Sequence, residues 1–447
     1  MQTDCKPQSV HFTPLGRRKL SATFDGGFIT SDAGALLLRE VAGKSKLFER
    51  MAQGVPDPRN PALIEHDQQT MLAQRVLGIA CGWEDLNDHH GLRIDPLMQM
   101  ASEREVDADR PLASPATLCR LENRISHKSC VELSKLLVEL FVESFESPPA
   151  ELILDFDATD DPIHGEQEGR FFHGYYGGYC YLPLYVFCGE KLLVSYLRPS
   201  NIDAARHSRG ILKLLTDRLR QAWPGVKIIF RGDSGFCRWK LMRWCQRHGV
   251  DYVIGLARNK VLEKRAEPFM AEAQRQYELT GQKQRIFTDF YYAAGSWDKE
   301  HRVIHKAEHN SQGDNPRFIV TSLGEPAAQW LYDAVYCARG EMENRIKEQQ
   351  LGLFADRTSC HAFVANQFRL LLSSFAYTLI ETLRCTALKG TELAKAQATT
   401  IRTKLLKIGG LVMTSVRRIT LRLSSAYPLK ELFEQIVHRL VRQIQIE

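Results

Sequence analysis

Short apolar runs that alternate with amphipathic stretches predict a mixed α/β fold for the middle of the chain. Helices are predicted where apolar residues recur three or four positions apart, at 206–223 and 239–248. Strands are predicted at 152–157, 179–188, 191–197, 226–233 and 251–257. Three strands followed by helix, strand, helix and strand are typical of a layout built on one central sheet.

The pattern divides the rest of the chain into further regions. Residues 1 to about 55 contain frequent Gly and Pro and predict loops, whereas 60–146 predicts helices. The stretch 259–322 joins a charged helical piece to three strand-like runs, which predicts a small β-rich insertion. Helices are predicted from 330 to the C-terminus. The predicted regions are a helical N-terminal region (1–147), a first core part (148–258), the insertion (259–325), a second core part (326–385) and a basic helical C-terminal region (386–447).

One helix of the N-terminal region carries a specific signal. Ser114 is a typical N-cap, and Pro115 suits the first helical position. Arg120, Asn123 and Arg124 would then lie on the exposed side of a short helix. Such a helix could enter a DNA groove, or it could belong to a packing module, and the sequence leaves both interpretations open.

Composition describes an ordinary globular protein. The 447 residues are 44% hydrophobic and 25% charged, with a formal charge of +6. Residues 386–447 hold 11 Lys and Arg against four Glu and no Asp, a balance of +7 that suits a phosphate backbone. Eleven scattered Cys without a C-x-x-C pair, and the absence of a signal-peptide pattern, predict a cytoplasmic protein. The most apolar stretch, 368–380, is too short and too polar to span a membrane, so it predicts a core helix.

Carboxylates cluster where predicted strands end. After an apolar run, a stretch of seven residues contains four carboxylates, Asp155, Asp157, Asp160 and Asp161. Asp233 follows another strand. Bunched carboxylates repel one another, so a divalent cation or a solvated turn must compensate. Asp160 and Asp161, which precede a Pro, are predicted to be turn residues.

A third carboxylate comes from a predicted helix. Tyr336, Arg339, Glu343 and Gln350 fall on one helical face, because they are three, four and seven residues apart. Either Asp155 or Asp157, together with Asp233 and Glu343, could converge on Mg²⁺, a hard cation that prefers oxygen ligands. Two such ions would activate an attacking oxygen and stabilise the leaving one.

With these residues, the chain resembles bacterial insertion-sequence transposases that carry an Asp-Asp-Glu site on an RNase H-like core. It is most similar to the insertion-sequence-1380 group, which is related to the insertion-sequence-4 group. The resemblance lies in Ala73-Gln-Arg-Val-Leu-Gly, Asp155-Phe-Asp-Ala-Thr, Arg231-Gly-Asp-Ser-Gly-Phe and Met342-Glu-Asn-Arg-Ile-Lys-Glu. In such families a Thr follows two residues after the first Asp, which favours Asp157 over Asp155. The helix matches a Tyr-x2-Arg-x3-Glu-x6-Lys signature except that Gln350 replaces the Lys, and Lys347 is the candidate to replace its phosphate contact.

The resemblance implies a function and its partners. Asp157, Asp233 and Glu343 would hold Mg²⁺, for which Mn²⁺ could substitute. Tyr336 and Arg339 would contact DNA phosphates. The N-terminal region, with Arg120 and Arg124, would read terminal inverted repeats, and the protein would act on DNA as a homodimer in the bacterial nucleoid. Cleavage at the transposon end would precede strand transfer, with or without a hairpin intermediate.

Trp297, in the predicted insertion, has two interpretations. It could stack on a distorted base near the cut, or it could be a core residue of the insertion.

Other functions remain as alternatives. The same site would serve a metal-dependent nuclease without strand transfer, or it could persist in a catalytically inactive DNA-binding protein. A glycosidase with paired carboxylates would need no metal. His301, His305 and His309 lie at four-residue intervals, but the apolar residues between them predict a strand, so we do not predict zinc there.

Overall fold

The structure is a computed structural model that describes residues 9–107, 109–325 and 327–442. Two compact units make up the chain. The central unit is Ile125–Ser374, and the terminal unit combines Met1–Arg124 with Phe375–Glu447.

Strands occur in both units. In chain order they are β1 (Val10–Leu15), β2 (Arg18–Ala22), β3 (Phe28–Thr30), β4 (Glu151–Ala158), β5 (Asp161–Pro162), β6 (Phe171–His173), β7 (Gly178–Tyr181), β8 (Leu184–Cys188), β9 (Lys191–Tyr196), β10 (Lys227–Gly232), β11 (Asp251–Leu256), β12 (Gln284–Tyr292), β13 (His301–Asn310), β14 (Gly313–Asp314), β15 (Arg317–Thr321), β16 (Gly410–Ser415) and β17 (Arg418–Leu423).

The α-helices follow the same chain order. They are α1 (Ala35–Lys44), α2 (Leu47–Gly54), α3 (Gln68–Ala80), α4 (His89–Leu92), α5 (Pro96–Ala101), α6 (Pro115–Asn123), α7 (His127–Glu143), α8 (Ser208–Ala222), α9 (Trp239–Arg247), α10 (Lys260–Thr280), α11 (Ala328–Trp330), α12 (Gly340–Leu353), α13 (Phe363–Thr386), α14 (Ala398–Ile401) and α15 (Lys430–Arg442).

A nine-stranded mixed sheet organises the central unit, which confirms the predicted mixed α/β class. Its order is β12-β13-β15-β11-β10-β4-β8-β9, with β14 paired to β13. Strand β10 lies between β4 and β11 and is parallel to both, whereas the remaining pairs are antiparallel. The strands at 284–321 therefore extend the central sheet through the β11–β15 pair and do not form a sheet of their own, because this pairing satisfies the edge of β11.

Side chains alternate across this sheet and bury both of its faces. On one face, Leu154, Phe156, Phe230 and Ile254 belong to a large apolar core that also contains residues of α8 and α9. On the other face, the apolar cluster comprises Ile229, Val253, Ile304, Ile319, Leu331, Tyr332 and Val335. The segment at 331–336 thus covers the second face, which is the face toward which Asp155 and Asp157 point.

The predicted helix from 330 to 351 exists but is not uniform. A π-helical turn, Leu331–Tyr336, and a 3-10 turn, Cys337–Arg339, precede α12. Such irregular turns inside helices are frequent at functional sites, because they re-aim the side chains that follow.

The terminal unit differs more from expectation. The first 55 residues, predicted as loops, contain the β1–β2 hairpin, β3, α1 and α2. The C-terminal region, predicted as helical, contains the hairpin of β16 and β17, and β16 also pairs with β3. This pairing joins segments about 380 residues apart, which local periodicity does not reveal. Among the described residues, the helices are all too short or too polar to cross a bilayer.

Candidate active site

Parallel pairing of β4 and β10 brings the first two carboxylates into neighbouring positions. Gly232 pairs with Phe156 in the register, so the next residues along the two strands are Asp233 and Asp157. Adjacent strands lie about 4.8 Å apart. Both aspartates stand where their strands end, and the charge of Asp233 acts on Asp157.

Arg339 connects the third carboxylate to the first. Its Nη1 donates to Asp157 Oδ2 at 3.1 Å, and its Nη2 donates to Glu343 Oε1 at 2.5 Å. The side chains of Arg339 and Asp157 are mostly buried, at 16% and 14% exposure, whereas Glu343 is 44% exposed. The four-residue spacing within the helix places Arg339 and Glu343 on one face, as predicted.

The electrostatics of Asp157 reflect this crowding. Burial raises the pKa of Asp157 to about 6; Arg339 opposes the shift, and the negative charges of Asp233 and Glu343 add to it. Burial lowers the pKa of Arg339, but Asp157 and Glu343 raise it by more and keep the guanidinium charged. The guanidinium therefore supplies the positive charge that offsets the clustered carboxylates.

Asp155 has a different partner. Its Oδ2 accepts a hydrogen bond from Arg231 Nη2 at 2.6 Å, and its Oδ1 accepts another from Arg231 Nε. Arg231 also donates to the backbone carbonyl of Val335, so the ion pair anchors the π-helical turn to the sheet. Burial raises the pKa of Asp155, and Arg231 opposes this shift. With both of its oxygens bonded to Arg231, Asp155 is a weaker candidate metal ligand than Asp157.

The side chains at this end of the sheet suit a divalent cation. Asp157, Asp233 and Glu343 offer carboxylate oxygens, the ligands that Mg²⁺ prefers. Their oxygens do not all lie within 4.8 Å of one another, since Arg339 stands between Asp157 and Glu343. A cation that bound all three carboxylates would take over the charge compensation that Arg339 supplies.

Tyr336 reaches the same place from the helical segment. A Cβ added to Gly255 would lie 2.6 Å from the Tyr336 hydroxyl and 2.8 Å from the Ser234 backbone nitrogen. The hydroxyl therefore packs against bare backbone beside Asp233. Burial raises the pKa of Tyr336, Arg339 opposes the shift, and Asp233 adds to it.

Comparison with known proteins identifies the family. The sequence profile described as "Transposase DDE domain group 1" matches residues 12–445. The chain belongs to this family. No curated protein matches the chain. Among solved structures, a cryo-EM structure of the piggyBac transposase synaptic complex with hairpin DNA matches at 11% identity and a TM-score of 0.42, covering 84% of this chain and 80% of that one. A TM-score of this size does not establish a shared fold.

In this DDE-family chain, Gln350 stands where the helix signature has a lysine, and its side chain makes a structural contact. Gln350 Nε2 donates to the backbone carbonyl of Asp160 at 3.0 Å and so ties α12 to the turn after β4. Lys347, one helical turn after Glu343, is exposed.

Asp161 is not the solvated turn residue that the sequence predicts. It begins β5 and is 1% exposed. Burial raises its pKa well above the usual value, and the nearby Asp356 carboxylate adds to the shift. The pairing of β5 with β7 draws it into the interior.

Trp297 lies away from the carboxylates. It falls in the turn between β12 and β13. This turn lies near the start of β11, because Arg302 pairs with Thr321 and Thr321 pairs with Val253. Asp157 and Asp233 lie where β4 and β10 end. The Trp297 ring contacts Tyr292 and His301, with ring centres 5.5 and 5.3 Å apart, which suits the alternative of a packing residue.

The histidines near this turn lie on a strand, as predicted. His305 is buried and stacks on Phe318, and His309 Nδ1 lies 2.6 Å from Asp314 Oδ1. Successive histidines are four strand residues, or about 13 Å, apart, which is too far for them to share one metal ion.

The two predicted arginines of α6, in the terminal unit, have different surroundings. Ser114 caps the helix, as predicted, by accepting from the Thr117 backbone nitrogen. Arg120 is exposed. Arg124, predicted to be exposed, is half-buried and donates to Gln68 Oε1 at 2.6 Å, because this end of α6 packs on α3. The buried ion pair of Arg75 and Glu122, at 2.8 Å, fixes the same contact.

Two structural residues escaped the sequence analysis. Arg231 neutralises Asp155, and Gly255 makes room for Tyr336. The signal for Arg231 was its place two residues before Asp233, which puts both side chains on one face of β10. Nothing in the sequence around Gly255 distinguishes it from a glycine in any strand.

Proposed function

We propose that this protein is a DNA transposase that cuts DNA at transposon ends and transfers the cut strand into target DNA. The observation that carries the proposal is the arrangement of Asp157, Asp233 and Glu343 around Arg339, in a chain that belongs to a DDE transposase family. Transposition of this kind consists of phosphodiester hydrolysis followed by transesterification. Both steps are attacks of an oxygen on a phosphate, so one site can serve both.

The three carboxylates would hold Mg²⁺ or Mn²⁺. When bound, such ions activate the attacking oxygen and stabilise the leaving one. The chain's own contribution is to hold the ligands in register, with Asp157 mostly buried and Glu343 open to solvent. The parallel strands β4 and β10 position Asp157 and Asp233, and the turn before α12 aims Glu343 toward them.

Other side chains would hold the DNA. Arg339 and Tyr336 lie beside the carboxylates and would contact a phosphate near the bond that is cut. Lys347 is exposed on the helix of Glu343 and is available for a phosphate further along the strand. Arg120 on α6 and the basic region at 386–447 would contribute to end recognition. We propose that a homodimer handles two ends together.

We also infer an RNase H-like core. The strand order β9-β8-β4-β10-β11, with only β4, β10 and β11 parallel, supports it. The same proposal includes the five predicted regions and the β-rich insertion between Asp233 and Glu343. It also includes a bacterial insertion-sequence origin in the insertion-sequence-1380 group and a nucleoid location.

A strand-transfer assay tests this function. A DNA duplex that carries the element's own end is incubated with the protein and a supercoiled target plasmid, in Mg²⁺ or in EDTA, beside a duplex of scrambled end sequence. We expect cleavage at the authentic end, and joined products with the plasmid, only with the metal. Cleavage without joined products would favour the nuclease, and end binding without cleavage would favour the inactive DNA-binding protein.

A further inference from the structure

A cleft opens beside the carboxylates on the side of β11 and β15. Its volume is about 220 Å³, and its lining includes Ser234, Gly255, Arg258, Arg317, Tyr332 and Tyr336. Ser234 follows Asp233 directly, and Tyr336 packs on Gly255, so the cleft begins where the candidate active site ends. We call it the arginine cleft.

Both charged residues of the arginine cleft are cations without a carboxylate partner. Arg258 and Arg317 are exposed, and within the described part of the chain neither has an ion pair. Other arginines of this sheet and of the helical segment that covers it are paired. Arg285 binds Asp333, Arg302 binds Asp289, and Arg339 binds Asp157 and Glu343. Two unpaired guanidiniums beside a carboxylate cluster make a local anion-binding surface.

The strand register places Arg258 and Arg317 within a few nucleotide lengths of the candidate active site. Leu256 pairs with Phe318, so Arg258 and Arg317 lie at the sheet edge where β4 and β10 also end. With strands about 4.8 Å apart, β11 and β15 lie about 5 and 10 Å from β10. Each DNA strand carries one phosphate per about 3.4 Å of helix axis, so this distance corresponds to one to three nucleotides.

The aromatic lining adds neutral donors. Tyr332 and Tyr336 line the cleft. A tyrosine hydroxyl is protonated at neutral pH, so both can donate a hydrogen bond to an anionic oxygen. A DNA phosphate would be repelled by a tyrosinate, but it is not repelled by a protonated tyrosine.

From these observations we propose that Arg258 and Arg317 bind DNA phosphates one to three nucleotides from the bond that is cut. The arginine cleft would hold the DNA strand on one side of the carboxylates. A guanidinium suits this role because it can form two parallel hydrogen bonds with a phosphate. This inference rests on the proposed function, and it names positioning residues outside the Tyr-Arg-Glu signature.

Neutral backbone linkages provide the test. Single methylphosphonate linkages, which remove one phosphate charge each, are placed at successive positions on both sides of the cut in the end duplex. Cleavage in Mg²⁺ is measured for wild type, Arg258→Ala and Arg317→Ala. Arg243→Ala and Arg247→Ala, which remove exposed arginines of α9, serve as matched controls, and thermal unfolding checks that all variants fold.

We expect each cleft variant to cleave the unmodified duplex about 10-fold more slowly, because a charge-assisted hydrogen bond to phosphate is lost. In wild type, neutral linkages within three nucleotides on one side of the cut should slow cleavage by a similar factor. In Arg258→Ala or Arg317→Ala, a neutral linkage at the phosphate that the removed arginine would bind should not slow cleavage further. The α9 variants should respond to each neutral linkage as wild type does.

Two results would overturn the inference. Cleft variants that cleave like the α9 controls would show that the arginines hold no phosphate. If each neutral linkage slows cleavage by the same factor in the cleft variants as in wild type, the two arginines do not contact these phosphates. A wild-type protein that fails to cleave unmodified DNA would instead remove the proposed function itself, and that outcome is visible before any variant is measured.

Discussion

Asp155 and Asp157 lie two residues apart on β4, so their side chains point to the same face of the sheet. One binds Arg231, and the other faces Asp233 and Arg339. Residue spacing could predict that both carboxylates lie on that face, but not which cation each one meets. That choice depends on Arg231 in β10 and Arg339 in the helical segment, which are 76 and 184 residues after Asp155.

The two aspartates should therefore respond differently to the same change. Asp155→Asn replaces one of the two oxygens that accept hydrogen bonds from Arg231 with an NH2 group, which leaves a buried guanidinium N–H without its acceptor. We expect it to lower the free energy of unfolding by about 1–3 kcal/mol. Asp157→Asn relieves repulsion among carboxylates and should keep or increase stability while abolishing cleavage. Urea unfolding and the cleavage assay, performed on both variants, check this. Loss of cleavage with full stability in Asp155→Asn would reverse the assignment.

Asp161 provides a prediction about pH. Its folded-state pKa is raised well above the value of about 3.9 that it has in an unfolded chain. The folded state therefore binds the proton more tightly, and stability contributed by the protonated form is lost as pH rises from about 4 toward the folded pKa. Linkage sets this loss at up to about 1.4 kcal/mol per pH unit. Asp161→Asn should gain stability relative to wild type between pH 4.5 and 7.5, measured by urea unfolding. A difference that does not change with pH would contradict the buried-carboxylate explanation.

On α6, the two arginines should separate binding from stability. Arg120→Ala removes an exposed cation and should weaken DNA binding with little effect on unfolding. Arg124→Ala breaks the bond to Gln68 and should lower the free energy of unfolding by about 1–2 kcal/mol. Fluorescence anisotropy with the end duplex and thermal unfolding distinguish the two. If Arg120→Ala binds DNA as tightly as wild type, α6 is a packing helix, the other interpretation of the sequence.

At the scale of elements, the sequence predicts the central sheet well. The runs at 152–157, 191–197, 226–233 and 251–257 become β4, β9, β10 and β11 with shifts of a residue or two. The signal is strong because each strand is buried and reads as a short apolar run bounded by polar residues. The change from π to 3-10 geometry before α12 was not predictable, since it follows from packing of 331–336 on the sheet and leaves no mark on the periodicity.

Gly255 tests how closely that helical segment must approach. Gly255→Ala places a methyl group 2.6 Å from the Tyr336 hydroxyl and 2.8 Å from backbone, so the segment must shift. We expect a loss of about 1–3 kcal/mol in the free energy of unfolding and slower cleavage, because Tyr336 and Arg339 move together. Gly210→Ala on α8 is the control, since nothing lies within 4 Å and the helix should gain about 0.5–1 kcal/mol. Wild-type behaviour of Gly255→Ala would show that the approach is not needed.

At the scale of the whole molecule, two compact units share one chain, and the terminal unit draws on both ends of the sequence. The pairing of β3 with β16 shows why this division could not be predicted, since hydrophobic periodicity reports only local structure. The family could be predicted, because the residues on which the resemblance rests lie in short, recognisable motifs along the chain. Two of them, Asp157 and Glu343, meet at Arg339. The net charge of +6 points to an anionic partner without locating it.

The most direct measurement is metal-dependent cleavage of the end duplex by wild type, Asp157→Asn, Asp233→Asn and Glu343→Gln, with Glu341→Gln as the matched control on α12. Removal of one ligand carboxylate should slow cleavage at least about a thousandfold, because the bound cation supplies several kcal/mol of stabilisation to the transition state. DNA binding should persist in all variants, and Glu341→Gln should cleave like wild type, since that exposed side chain points away. Loss in all three, and in EDTA, would support the three carboxylates as the metal site of a transposase. Full cleavage by any one of the three would contradict it.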